Sequence, residues 1–99
     1  MTEVRRLVIT RLAAIDLDEI YLFSLERWGD EQAVTYETAL RHSMRLLLET
    51  PLLGRPRIGS SIADLRTLVV KRHTIWYTVF GESITVLRIA HGRQLVHLT

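Results

Sequence analysis

The sequence predicts an α+β fold in which an antiparallel helical hairpin packs on one face of a mostly antiparallel sheet. Three observations support this: a short apolar run near the N-terminus, two long segments with apolar residues at helical spacing, and three closely spaced apolar runs in the second half. The order strand, helix, helix, strand, strand, strand is typical of one helical layer against one sheet. A chain of 99 residues fits one domain, predicted over 1–99.

The N-terminal strand is predicted over 4–10, where four apolar residues flank two arginines, and it is expected at or next to an edge of the sheet. The first helix is predicted to begin at Asp16, because Asp16 and Glu19 have the spacing of a capping box. Gly29 is expected to end this helix. The predicted core-facing stripe comprises Leu17, Ile20, Tyr21, Leu25 and Trp28.

The second helix is predicted to be capped by Asp30 and to stop at Thr50 and Pro51, so Gly29 joins two antiparallel helices. The stripe of this helix comprises Ala33, Tyr36, Leu40, Met44 and Leu47. The segment 51–61 contains several glycines and prolines interleaved with arginines. That composition indicates an irregular connector with a mild positive charge.

Three apolar runs in the second half predict strands over 65–70, 74–80 and 83–90. The gaps 71–73 and 81–82 are short, and a parallel connection would need a dozen or more residues. The three runs therefore predict an antiparallel meander that completes the sheet.

The periodicity of strands and helices predicts which members of two pairs of adjacent large side chains face the core. Trp76 and Tyr77 must point to opposite faces of their strand, so Tyr77 is expected in the core and Trp76 is a candidate platform for stacked bases. Leu22 and Phe23 lie away from the core-facing stripe of the first helix. They are either single exposed apolar residues of the ordinary kind or part of a partner groove.

The two halves of the chain carry opposite net charge. Residues 1–50 contain six Lys or Arg and nine Asp or Glu, whereas residues 51–99 contain seven and two. The half of the chain that contains the predicted meander is therefore basic. Its positive charge either attracts an anionic partner, such as nucleic acid or an acidic peptide, or merely solubilises a sheet face.

Several classes of protein are excluded by composition. The chain has no cysteine, so it has no disulfide framework, thiolate metal site or cysteine nucleophile. No signal-peptide pattern is visible, and no run reaches the roughly 18 apolar residues of a membrane span. The four histidines share no ligand spacing. We expect a cytoplasmic protein with no metal, no cofactor and no membrane contact.

Five blocks of sequence resemble the ParE toxins of bacterial type II toxin-antitoxin modules, within the wider RelE/ParE superfamily. They are DLDEI at 16–20, ERWG at 26–29, PLLGRP at 51–56, HTIWY at 73–77 and VLRIAHGR at 86–93. The resemblance covers nearly the whole chain. Two departures are the segment 10–13, where the family often has a Thr-Pro-Ala-Ala type of turn, and Gln94, where it often has a second arginine.

The resemblance implies a RelE/ParE-like fold and a growth-inhibiting toxin that acts on DNA gyrase, stabilising or provoking cleaved-DNA complexes. It also implies a cognate acidic, ParD-like antitoxin, operator DNA binding by the complex through that antitoxin, and no catalytic residues. The residues we expect to face the target are Arg72, His73, Arg88, His91 and Arg93. The residues we expect to contact the antitoxin are Leu22, Phe23 and Val34.

Other interpretations stay open at this level. The RelE branch of the superfamily resembles ribosome-dependent endoribonucleases that cut messenger RNA, and Arg88, Arg93, His91 and His97 are the residues that could serve such chemistry here. A regulatory or binding module is a third possibility. Arg88 could instead pair with an acid of the helical hairpin such as Glu26 or Asp18, because a lone arginine in an apolar run is usually paired. His91 could be a strand-end histidine bonded to a neighbouring loop.

Overall fold

A computed structural model describes residues 5–92, 96 and 98. Over this part of the chain, two helices pack on a five-stranded mixed sheet, which confirms the predicted α+β class. The elements in chain order are β1 (Arg6–Ile9), α1 (Arg11–Trp28), α2 (Asp30–Glu49), β2 (Arg55–Pro56), β3 (Leu65–Val70), β4 (His73–Phe80) and β5 (Ser83–His91). No helix among the described residues is long and apolar enough to cross a membrane.

The strand order is β1-β5-β4-β3-β2. The meander is confirmed, since β3, β4 and β5 pair antiparallel as neighbours. The N-terminal strand β1 lies at one edge, as predicted, and pairs with β5 in parallel. The helical hairpin connects β1 at one edge of the sheet to β2 at the other edge. This long connection is what allows β1 to pair in parallel with β5.

The connector after α2 is not wholly irregular, so this part of the prediction was wrong. Arg55 and Pro56 form a two-residue strand against Thr67 and Arg66 of β3. Proline is tolerated there because β2 is an edge strand, where its missing N–H removes no ladder hydrogen bond on the solvent side. The short strand covers part of the β3 edge.

The predicted start of the first helix at Asp16 was also wrong. The helix begins five residues earlier, at Arg11, with Thr10 as its N-cap. The Thr10 hydroxyl accepts a hydrogen bond from Ala13 N at 3.1 Å and donates one to Leu87 O at 3.0 Å. A threonine that satisfies a free helix amide is a strong cap, and it also anchors the helix start to β5. Asp16 is left in the middle of the helix and is buried.

Gly29 joins the two helices, as predicted. Its φ of +90° suits glycine, its N–H donates to Leu25 O at 2.9 Å, and its own carbonyl accepts from Ala33 N at 3.0 Å. One residue therefore ends α1 and precedes α2, and Asp30 is the first residue of α2 rather than its cap. An acid at this position still suits the positive end of the helix dipole. The second helix ends at Glu49, before Thr50 and Pro51, as predicted.

The core lies between the hairpin and one face of the sheet. Four of the five predicted stripe residues of α2 are fully buried, and Tyr36 is partly buried. On α1, Leu17 is buried, but Trp28 is 48% exposed, so its assignment to the core was wrong. Tyr77 lies in the core, as predicted. The largest fully buried side chains are Tyr77, Leu40, Met44, Leu47, Ile75, Ile84 and Val86.

A polar contact at the edge of this core fixes the connector after α2. The Tyr77 hydroxyl donates to Pro51 O at 2.8 Å and accepts from Gly54 N at 2.7 Å. A Cβ on Gly54 would lie 2.6 Å from that hydroxyl and 2.8 Å from Thr67 O, so only glycine permits this approach. Burial raises the pKa of Tyr77, which keeps the phenol protonated and able to donate. The PLLGRP block thus has a packing role.

Candidate functional site

A groove of about 810 Å³ opens between α1, the first half of α2, the turn 71–72 and the ends of β4 and β5 nearest that turn. Four residues predicted to face the target line this groove, namely Arg72, His73, Arg88 and His91. The fold brings them together because His73 and His91 are partners in the β4–β5 ladder, and Arg72 precedes His73. Arg93 lies outside the described residues, as does His97.

A histidine pair forms one wall of the groove. The rings of His73 and His91 stand edge to face with centroids 5.7 Å apart. The Tyr36 hydroxyl lies 2.6 Å from His73 Nδ1 and accepts a hydrogen bond from Arg72 N at 3.2 Å. Burial lowers the pKa of His73, and the nearby His91 lowers it further, while Asp16 acts in the opposite direction. His73 is therefore held in a fixed orientation with its neutral form favoured.

An ion pair between Asp16 and Arg88 also lines the groove. Arg88 Nε donates to Asp16 Oδ2 at 2.7 Å, and Arg88 Nη2 donates to Oδ1 at 2.9 Å. The Ile89 amide also donates to Oδ2, at 2.9 Å. The hydrogen bond to Asp16 raises the pKa of Arg88, so its charge is permanent. Arg88 does pair with an acid of the hairpin, as considered above, but with Asp16 rather than Glu26 or Asp18.

The Asp16–Arg88 ion pair corrects the interpretation of two sequence features, the DLDEI block and the arginine in the last apolar run. The DLDEI block does not cap a helix, because α1 already begins at Arg11 and Asp16 accepts hydrogen bonds from Arg88 and Ile89 of β5. The guanidinium of Arg88 is largely engaged by that carboxylate, so its contact with a target stays a prediction. A bidentate pair of this kind fixes both side chains in register and orientation.

A cluster of two aromatic rings and two guanidinium groups lies at the mouth of the groove, and we call it the aromatic clamp. It consists of Phe23, Arg27, Trp28 and Arg72. Phe23 meets Trp28 edge to face at 6.0 Å. The Arg27 guanidinium lies 5.6 Å from the Phe23 ring and 6.0 Å from the Trp28 ring, and Arg72 lies 5.8 Å from the Trp28 ring.

The aromatic clamp offers both apolar ring area and N–H donors to a partner. Phe23 is 55% exposed and Trp28 is 48% exposed, which is high for rings of this size on a small protein. Cation–π contact orients the guanidinium groups over the rings and leaves their edges able to donate. Such a surface suits a partner that presents carboxylates beside apolar side chains.

The three residues predicted to contact an antitoxin do not all lie in the groove. Phe23 lines the groove, whereas Leu22 and Val34 are exposed without lining it, at 60% and 52%. The prediction that Leu22 and Phe23 lie off the core is confirmed. Sequence reasoning missed Arg27, Trp28, Tyr36 and Lys71 as groove residues. The ERWG block could have indicated Arg27 and Trp28, because it places them directly before the glycine that joins the two helices.

Two other candidates lie away from this groove. Trp76 is partly exposed, with the Arg57 guanidinium 5.2 Å from its ring, so a base-stacking role stays a prediction. Within the part of the chain that the structure describes, no three histidine or acidic side chains are grouped closely enough to hold a metal ion. The groove is therefore the main candidate for macromolecular contact.

The family model for the ParE toxin of the type II toxin-antitoxin system parDE matches residues 7–96. The chain belongs to the ParE toxin family. It is 32% identical to Toxin ParE1 of Caulobacter vibrioides over 83 residues, which is 84% of each chain. It is 33% identical to Toxin ParE1 of Mycobacterium tuberculosis over 90 residues, 90% of this chain and 91% of the relative.

Solved structures agree with this assignment to the ParE family. A structure of the chromosomal ParDE toxin-antitoxin system from P. aeruginosa superposes with a TM-score of 0.76 at 28% identity, covering 91% of this chain and 98% of that one. The RelBE2 toxin-antitoxin complex from Mycobacterium tuberculosis gives a TM-score of 0.63 at 16% identity, covering 90% and 99%. The second match shows the shared fold alone, which confirms the RelE/ParE-like architecture.

Proposed function

We propose that this ParE-family toxin acts on DNA gyrase by binding it, and that a cognate acidic antitoxin holds it inactive. Growth is inhibited because the toxin stabilises or provokes cleaved-DNA complexes of gyrase. The observation that carries the proposal is the convergence of Arg72, His73 and His91 on one groove. Arg72 and His91 are exposed and His73 is partly exposed, which supports contact with another macromolecule.

The chemistry of the groove supports binding more than catalysis. Nucleolytic cleavage needs a base, an acid and cations aimed at one phosphate. Here Arg88 is engaged by Asp16, and His73 is oriented by the Tyr36 hydroxyl. The described residues offer Arg72 and Lys71 as further cations at the turn, both exposed. We therefore infer a toxin that is not an enzyme.

The proposed antitoxin contacts are Leu22, Phe23 and Val34. All three are apolar and more than half exposed, which suits a partner that lays apolar side chains on the hairpin. An acidic antitoxin would complement the basic half of the chain, which carries seven Lys or Arg and two Asp or Glu over 51–99. The complex then binds operator DNA through the antitoxin.

The decisive experiment is a supercoiling assay with purified gyrase, run beside a ribosome-dependent RNA cleavage assay. We expect inhibition of supercoiling with accumulated cleaved DNA, and intact messenger RNA. The double variant Arg72→Gln, His91→Gln should weaken inhibition about tenfold, the scale of one lost charge-assisted hydrogen bond. The control Arg45→Gln changes an exposed cation of α2 that does not line the groove, and should inhibit like the unaltered protein.

The RelE-like alternative is tested by the same pair of assays. RNA cleavage without gyrase inhibition would assign the chain to ribosome-dependent endoribonucleases, with Arg88, His91, Arg93 and His97 as the residues to test first. Silence in both assays with the antitoxin still bound would leave a regulatory module.

A further inference from the structure

The β3–β4 turn contains a lysine in an unfavourable backbone conformation. Lys71 is the only lysine among the 99 residues, beside twelve arginines. It is the first residue of a two-residue loop, since Val70 and His73 are paired at the ends of β3 and β4. Its φ is +55°, in the left-handed region that side chains other than asparagine and aspartate rarely adopt. The position therefore carries a cost that glycine would remove.

The next hairpin of the same sheet has glycine at the equivalent position. Gly81 is the first residue of the β4–β5 loop, which also has two residues because Phe80 pairs with Ser83. Its φ of +57° is close to that of Lys71. Both loops need the same φ at their first position, and only one of them uses the residue that adopts it without strain. A lysine at the other position indicates a use for its side chain.

The β3–β4 turn is held in this conformation from two sides. The Arg72 amide donates to the Tyr36 hydroxyl of α2 at 3.2 Å, and the Arg72 carbonyl accepts from the Gly92 amide at 3.0 Å. A backbone that is already fixed by such contacts loses little further freedom when a partner binds. The backbone of Lys71 is therefore preorganised at a point where the side chain lines the groove.

Lys71 is the least engaged cation of the groove. The other cations that line it among the described residues are Arg27, Arg72 and Arg88. Arg88 is paired with Asp16, and the other two guanidinium groups lie against aromatic rings. Within the part of the chain that the structure describes, the Lys71 ammonium makes no hydrogen bond, ion pair or ring contact. Lys71 is exposed, so its charge is open to an external anion.

We propose that Lys71 is a target-binding residue whose ammonium pairs with a carboxylate of gyrase, and that the strained turn is tolerated because it places this charge in the groove. The inference rests on the proposed function, because it takes gyrase as the partner. A carboxylate of the protein is preferred to a DNA phosphate because Phe23 and Trp28 expose ring area in the same groove, as is typical of protein interfaces. An ammonium is a point charge, so a single carboxylate oxygen is a sufficient partner.

Three substitutions separate the cost of the backbone from the role of the charge. Lys71→Gly should raise the midpoint of thermal unfolding by about 4 °C, because it removes the strain. It should also weaken inhibition of gyrase supercoiling about fivefold, the scale of one lost ion pair. Lys71→Arg retains both strain and charge, so it should restore most of the inhibition without the higher midpoint. The control Asp64→Gly changes another residue with a φ of +55°, which does not line the groove, and should inhibit like the unaltered protein.

Chemical modification tests the charge without changing the backbone. Lys71 carries the only lysine ε-amino group of the chain, so acetylation removes this charge and reductive methylation retains it. Acetylated toxin should inhibit gyrase about fivefold more weakly, whereas methylated toxin should inhibit like the untreated protein. Lys71→Arg exposed to the acetylating reagent should keep its inhibition, which controls for reaction elsewhere on the chain. Bound gyrase should also protect Lys71 from acetylation, as measured by mass spectrometry.

The results that overturn this inference differ from those that refute the proposed function. Unchanged inhibition by Lys71→Gly or by the acetylated toxin would overturn it and leave gyrase as the target. A lower unfolding midpoint in Lys71→Gly would do the same, as would protection of Lys71 by the antitoxin or by a short DNA duplex but not by gyrase. Failure of the unaltered chain to inhibit gyrase would instead refute the proposed function, and this inference with it.

Discussion

Asp16 and Arg88 are joined by two hydrogen bonds, and the same carboxylate accepts a third from the Ile89 amide. The contact connects the first half of α1 to β5 across 72 residues of sequence. It fixes one wall of the groove, and it explains why an acid sits in the middle of an amphipathic helix. The carboxylate is nearly buried, so its loss has a cost in stability.

Replacing Asp16 with asparagine should destabilise the fold by about 2 to 4 kcal/mol. The change leaves Arg88 as a poorly solvated cation without its carboxylate, and breaking a buried pair is costly for that reason. Urea denaturation gives the measurement. The control Asp18→Asn removes an exposed acid two residues away and should cost less than about 0.5 kcal/mol. Equal losses for the two variants would mean that the ion pair contributes little.

Replacing Gly54 with alanine should destabilise the protein by about 1 to 3 kcal/mol. The new Cβ would overlap the Tyr77 hydroxyl and Thr67 O, both of which are held by other contacts. Gly92→Ala is the matched control, because a Cβ there meets nothing closer than Arg72 O at 3.8 Å. Thermal unfolding compares the two variants. A larger loss at Gly92 than at Gly54 would contradict the packing role assigned to the PLLGRP block.

The stability of the chain should fall as the pH drops below 6.5, partly through His73. Its pKa is below the ordinary value of 6.5 in the folded chain, so the unfolded chain binds more protons in that range. Stability from this group is therefore present above pH 6.5 and is lost as the pH falls through that value. The slope cannot exceed about 1.4 kcal/mol per pH unit, the limit for one proton.

Urea denaturation at pH 5.5, 6.5 and 7.5 measures this slope. His73→Gln should flatten it, since glutamine does not titrate. His42→Gln should leave it as in the unaltered protein, because His42 is exposed on α2. A steeper slope in His73→Gln would show that the sign assigned to His73 is wrong.

Replacing both Leu22 and Phe23 with serine should weaken antitoxin binding by about tenfold or more while leaving the fold intact. Both side chains are exposed by more than half, so their removal takes little from the core and much apolar area from a partner. Affinity for the antitoxin and the unfolding midpoint are measured together. Leu52→Ser with Ile58→Ser is the matched control, since these loop residues are 64% and 96% exposed. Unchanged affinity in the Leu22 and Phe23 variant would move the antitoxin elsewhere.

Local patterns were sufficient for most of the fold. The meander, the hairpin glycine and the α2 stripe depend on turn length, a positive φ and helical periodicity, all of which are properties of neighbouring residues. The start of α1 was predicted wrongly because its N-cap, Thr10, is held in place by a hydrogen bond to Leu87 on a distant strand, which local spacing does not reveal. The short strand β2 was missed because its partner lies ten or more residues further along the chain.

The groove could be predicted only in part, because contacts between residues distant in sequence form it. Sequence alone could identify Arg72, His73 and His91 as polar groups at strand ends, because turns and strand ends lie at the surface. It could not place Trp28 among them, since periodicity assigns every apolar member of a helical stripe to the core. Trp28 instead lies beside two guanidinium groups, that of Arg27 at 6.0 Å and that of Arg72 at 5.8 Å from its ring.

Composition, periodicity and five short blocks were enough to establish the family, the α+β layers and the charge asymmetry, because each of these is written in residue types at fixed local spacing. The pairing of Asp16 with Arg88 and the meeting of Tyr36 with His73 were settled by folding. A side chain forms a hydrogen bond only where the packed backbone brings a partner within about 3 Å. That distance is set by the fold of the whole chain and not by the residues adjacent in sequence.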